Sequence, residues 1–128
     1  MEKQSALYKS LSDERNACVV RAFALAANQP YEKVYKLCEK HGRKHGAGTR
    51  KHTTEAVVRE LGLRLVFDNY YRRAIKSPTL SQFIEQHPRG RFFVIRRGHA
   101  FAVIDGVVHD WANSATGPRS RIVYAVEA

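Results

Sequence analysis

From residue 17 to residue 27 the chain is apolar at nearly every position: Ala17, Cys18, Val19, Val20, Ala22, Phe23, Ala24, Leu25, Ala26 and Ala27. A surface helix needs a polar face, so this run predicts a buried central helix. Its alanine content favours helix over strand, and Asn16 is the expected N-cap. Asn28-Gln29-Pro30 ends the run, and Pro30 suits the first turn of a second helix. In residues 31 to 40 the apolar side chains Tyr31, Val34, Tyr35 and Cys38 fall at i, i+3, i+4 and i+7, one stripe of a helix that Gly42 stops. A third helix opens at Thr53 or Thr54, runs to Leu61 with Ala56, Val57 and Leu61 inward, and closes at Gly62. A short helix over residues 5 to 11 precedes all three.

Past Gly62 the period shortens. Leu63-Arg64-Leu65-Val66-Phe67 reads as a strand. Ser77-Pro78-Thr79 leads into a short helix, 80 to 87, which Pro88 breaks. Residues 91 to 96 and 99 to 104 follow as strands separated by Gly98. Asp105-Gly106 is a two-residue hairpin signal, with 107 to 111 returning across it. Residues 121 to 126 form a last strand. Helices first and an antiparallel sheet second make an α+β domain, and 128 residues suit a single one.

Composition adds three constraints. Lysine and arginine outnumber aspartate and glutamate 22 to 12, a formal charge of +10, which raises the prospect of an anionic partner: nucleic acid or an acidic protein surface. The densest positive run, KHGRKHGAGTRKH at 40 to 52, is either a solvated loop or a phosphate-binding one. Two cysteines do not make a disulfide framework. With no apolar leader and no membrane-length apolar stretch, a reducing, cytoplasmic setting is the expectation.

Cys18 lies in the first turn of the central helix. The helix dipole and unpaired N–H groups there lower a thiol's pKa and can hold an oxyanion. A cysteine nucleophile needs a base, and the base needs an orienting partner. His99 opens a strand. If Asp105-Gly106 is the turn, Ile104 faces Val107 and Asp110 faces Phe101, so His99 and Asp110 sit diagonally on one face, within reach of each other. Asn113, just beyond the strand, is a second candidate for the orienting role. Singly, each residue has an ordinary structural explanation: a buried thiol, a strand-edge histidine, a turn-capping carboxylate. Their conjunction is what points to catalysis.

A helix-start cysteine, a histidine opening a strand, and Asp or Asn on the next strand resemble papain-like cysteine peptidases. NACVVRAFALA is similar to the D-G-N-C-L-F-R-A stretch of ovarian-tumour-type deubiquitinating peptidases. GHAFAVIDGVVHDW is similar to the histidine hairpin of that group and of bacteriocin-processing peptidases. Small phage and bacterial proteins carrying D-C-V-V-R-A and a downstream G-H-A resemble the chain more closely, which would put it in a host cytoplasm if the source is viral. The resemblance implies a papain-like fold, with Cys18 as nucleophile, His99 as general base and Asp110 as orienting acid. It implies a peptidase or isopeptidase acting on a protein or peptide substrate, and no cofactor. Two departures stand out. Ala17 replaces the usual Asn, Asp or Gly before the cysteine. The upstream oxyanion glutamine has no counterpart, since Ser12 and Asp13 stand there, so Asn16 or the Cys18 N–H would serve.

The rival expectation is a catalytically inactive papain-like module whose basic surface binds nucleic acid or a host protein. Loop 40 to 52 would carry that binding, or rim the cleft and select acidic substrates. Tyr70-Tyr71-Arg72-Arg73 interleaves aromatics with cations and could stack bases. Cys38, His41, His45 and His52 have zinc-type side chains, but neighbouring cations disfavour a dication and no metal site is expected. Trp111 is expected to pack over the histidine hairpin.

Overall fold

The computed structural model describes residues 17–72, 76–110 and 116–128. Its helices are α1 (Cys18–Ala26), α2 (Tyr31–Lys40), α3 (Lys51–Leu61) and α4 (Leu80–Gln86). Its strands are β1 (Arg64–Asp68), β2 (Arg91–Arg96), β3 (His99–Ile104), β4 (Val107–His109) and β5 (Tyr124–Glu127). The class is α+β. The strands form one antiparallel sheet in the order β1-β5-β2-β3-β4, so the last strand inserts between the first and second. The expected helix over residues 5 to 11, Asn16, Arg73, Trp111 and Asn113 lie outside the described residues.

Strand alternation divides the core in two. Phe93, Ile95, Ala100, Ala102, Tyr124 and Val126 face the buried side chains of α1, α2 and α3. Phe92, Val94, Phe101, Val103, Val108 and Ala125 face Leu80 and Phe83 of α4. Every α1 residue from Val19 to Ala26 is buried. Small side chains on both partners, Ala22 and Ala26 on the helix and Ala100 and Ala102 on β3, let helix and sheet approach closely. Phe23 stacks on Phe93 with ring centroids 3.8 Å apart. Arg91 grips the far end of α1, donating from Nε to the Ala26 carbonyl (3.1 Å) and from Nη2 to that of Leu25 (2.5 Å). A cation there complements the negative end of the helix dipole.

The sequence misplaces several boundaries. Ala17, not Asn16, occupies the N-cap position of α1, with no side-chain cap. Pro30 is the residue before α2 rather than part of its first turn. Helix α3 begins at Lys51, ahead of both threonines. Thr53 and Thr54 are buried, and Thr53 Oγ1 donates to the His41 carbonyl at 2.7 Å, so its hydroxyl ties two helices together instead of capping one. Strand β1 runs one residue later than expected. The last strand starts at Tyr124, because Arg121 makes only an isolated bridge to Thr79. Strand β4 ends at His109. Thr79 does cap α4, accepting from Gln82 N–H at 3.1 Å while Gln82 Oε1 accepts from Thr79 N–H at 2.9 Å. No helix among the described residues is long and apolar enough to cross a membrane.

Candidate functional site

Two tight hairpins set the geometry. Arg96 pairs with His99 across Arg97-Gly98, and Gly98 takes φ +82°, which a side chain would resist. The histidine therefore emerges directly from a turn at the sheet's end. In the next turn Asp105 and Gly106 both have positive φ, 48° and 77°, as a type I′ turn requires. The β3–β4 pairs are Ile104–Val107, Val103–Val108 and Ala102–His109. Continued by one step, the register sets Asp110 opposite Phe101, on the face that His99 shares. Asp110 is fully buried, and its Oδ1 hydrogen-bonds His99 Nε2. The imidazole also stacks over Phe101, centroids 6.0 Å apart.

Cys18 reaches this ring from the other side of the sheet end. It is the first residue of α1, half-buried where the rest of the helix is sealed. The first intrahelical bond runs from Arg21 N–H to the Ala17 carbonyl at 3.0 Å, so the N–H groups of Cys18, Val19 and Val20 precede the helical ladder. Burial, the largest influence, pushes the Cys18 thiol up. The hydrogen bond with His99, the Ala100 N–H, the His99 charge and the Val19 N–H outweigh it, and the pKa falls below its ordinary value. For His99, burial pulls the pKa down, but the hydrogen bonds to Asp110 and Cys18 and their negative charges raise it to about 9. Because Nε2 is engaged by Asp110, Nδ1 is the nitrogen left for the sulfur. A thiol below its usual pKa beside an imidazole above its own favours the thiolate–imidazolium pair over the neutral one.

A cavity of about 220 Å³ opens over the pair. One wall is Cys18, Val19, Gly98, His99 and Ala100. Facing it are Gly48, Thr49, Lys51 and Thr54, at the end of the basic loop and the start of α3, with Tyr70 beyond. The loop thus rims the cleft, but Lys51, the cation it places in the lining, is already matched. Lys51 Nζ lies 3.0 Å from Asp68 and 3.6 Å from Glu55, over the rings of Tyr124, Tyr70 and Tyr71 at 4.7, 5.2 and 5.4 Å. Lys40 and His41 are 2.9 and 2.8 Å from Glu60. Lys51 and Tyr70 were not singled out as cleft residues by sequence. A lysine at a helix start is normally exposed, and only the fold brings three tyrosines around it.

The four zinc-type side chains do not assemble. Cys38 is sealed in the core, His41 turns to Glu60, and His45 Nδ1 lies 3.0 Å from the Tyr35 hydroxyl. No group of His, Cys, Asp or Glu able to hold a metal forms among the described residues. No protein-family model, curated protein or solved structure matches the chain.

Proposed function

We propose that the protein is a cysteine-dependent hydrolase of papain-like arrangement, a peptidase or isopeptidase. The observation that carries this reading is the continuous chain from Cys18 through His99 to buried Asp110, opening on a cleft. The Cys18 thiolate attacks a substrate carbonyl, and helix-start N–H groups receive the oxyanion. The imidazolium of His99 then gives its proton to the leaving amine, freeing the acyl-enzyme thioester. His99, neutral again, takes a proton from water, which attacks the thioester and releases the acid and the thiolate. Asp110 holds the ring in the orientation that serves both steps. The chemistry calls on no metal or organic cofactor. It needs a reduced thiol, in keeping with a cytoplasmic setting.

A peptide-based electrophilic probe followed by mass spectrometry tests the reading. Cys18 is expected to be labelled at neutral pH, Cys38 to remain free, and His99→Ala to slow labelling sharply. Labelling of Cys18 no faster than that of a free cysteine in an unfolded peptide would overturn it.

A further inference from the structure

A second hollow, about 510 Å³, lies beyond Tyr70 and gathers cations from four separate segments: Arg72 after β1, Lys76 before α4, Arg97 in the β2–β3 turn and Arg121 before β5. Asn69 and Ser77 complete its polar lining. No carboxylate lines it, and none of the four cations pairs with one among the described residues. Some cations outside it do have carboxylate partners: Lys40 with Glu60, Lys51 with Asp68, Lys36 with Glu32 and Arg64 with Glu127. Two of the guanidiniums are held in place by main-chain carbonyls. Arg97 Nη2 donates to Tyr70 O at 2.6 Å and Arg121 Nη1 to Ser77 O at 2.8 Å. Both keep further N–H groups for a ligand. Converging like charges repel, and an anion received among them offsets that repulsion.

The hollow adjoins the cleft. The Arg97 guanidinium lies 5.3 Å over the Tyr70 ring, and Tyr70 and Gly98, the residue after Arg97, both line the cysteine cavity. A ligand with an acyl group at Cys18 that continues past Tyr70 enters the cationic hollow. We propose that the hollow binds an acidic segment of the substrate polypeptide, with two or more Asp or Glu carboxylates received by Arg72, Lys76, Arg97 and Arg121. The choice of a polypeptide over a nucleic acid rests on the proposed hydrolase function, which puts an acyl chain in the adjoining cleft. It also rests on the compactness of the hollow, since a nucleic acid favours a positive track along its phosphates. The location is distinct from the 40 to 52 loop.

The test is fluorescence anisotropy with Cys18→Ala protein, which binds without turning over. The ligand is a labelled peptide carrying four consecutive glutamates, compared with its glutamine counterpart at about 0.1 M salt. The glutamate peptide is expected to bind about tenfold or more tighter. Replacing Arg72 and Lys76, both exposed, by glutamine should remove most of that preference, whereas Lys40→Gln with Lys44→Gln should leave it. Equal binding of the two peptides, equal loss in the control variant, or tighter binding of a single-stranded oligonucleotide of the same charge through Arg72 and Lys76 would overturn the proposal. A glutamate preference in a protein whose native Cys18 ignores electrophilic probes would sink only the hydrolase reading. A reactive Cys18 without the preference would sink only the acidic-segment reading.

Discussion

The thiol pKa values of two cysteines on consecutive helices are shifted in opposite directions. Cys38 completes the apolar stripe of α2 and is fully buried; burial pushes its thiol up to about 11, with only the Arg43 charge pulling the other way. Cys18 also feels burial as the largest influence, yet its pKa falls. Desolvation raises both thiols, so it does not by itself set the sign of the shift. What does is the presence of donors: a helix start, a neighbouring strand N–H and a histidine ring all face one sulfur and not the other. A thiol's pKa follows its place in the fold, and the same residue about two turns along a helix, sealed in the core, is an ordinary small hydrophobe.

The largest expected effect removes one side of this comparison. Cys18→Ala should lower hydrolysis of an activated acyl substrate by roughly 10⁴-fold or more, since the nucleophile and everything acting through it vanish together. Cys38→Ala should leave turnover within about twofold, because it touches nothing in the cleft. Comparable losses in steady-state assays would mean that the two thiols are not functionally distinct.

Next comes the partner that makes Cys18 different. Asp110→Asn keeps the shape of the buried side chain but removes the charge that raises His99. Turnover should fall by roughly 10²- to 10⁴-fold, the range that a well-placed acid–base group contributes. The sign of the pH dependence follows from the two shifts. The ion pair forms as pH rises through the lowered Cys18 pKa and is lost as His99 deprotonates near 9. The wild-type profile should be bell-shaped with its alkaline limb near 9, and Asp110→Asn should move that limb downward. An alkaline limb that stays in place would show that Asp110 does not tune the ring.

How much of this was legible in the chain depends on the range of the interactions involved. The hairpin Asp105-Gly106 and the strand alternation fix the relation of His99 to Asp110 within eleven residues, so the diagonal pair could be read directly. The apolar run, interrupted only at Arg21, marks α1 as the central helix. Insertion of β5 between β1 and β2 could not be read, because it joins segments about sixty and about thirty residues apart with no local signal. Lys51 among its tyrosines and the four-segment cationic hollow share that origin. Both look like solvated charge in sequence, and become sites only when distant loops converge. The start of α3 was missed for a related reason: Thr53 and Thr54 look like caps until the His41 carbonyl is brought beside them.

Alkylation rates sharpen the comparison without altering the protein. At pH 7 a thiol with a pKa of about 11 is ionised to roughly one part in ten thousand, and one below 9 to more than about one in a hundred. Iodoacetamide should therefore modify Cys18 at least about 100-fold faster than Cys38, and the sealed position of Cys38 widens the gap. Peptide mapping over a time course reads both rates in one sample. A ratio near one would remove the basis for assigning the sulfurs different roles.

The smallest effect expected is on stability, where the ranking of the two positions inverts. Serine carries a hydroxyl that needs a hydrogen-bond partner when buried. At position 38 the surroundings are the apolar stripe of α2 and the core beneath it, so Cys38→Ser should cost about 1–3 kcal/mol. At position 18 the new hydroxyl meets His99 and the N–H groups of Val19 and Ala100, the same groups that draw the thiol's pKa down. Cys18→Ser should then change stability by no more than about 0.5 kcal/mol. Denaturant midpoints of the two variants at pH 7 measure this. A cost at position 18 as large as at position 38 would mean that the sulfur of Cys18 is enclosed rather than partnered, and the donors assigned to it would have to be facing something else.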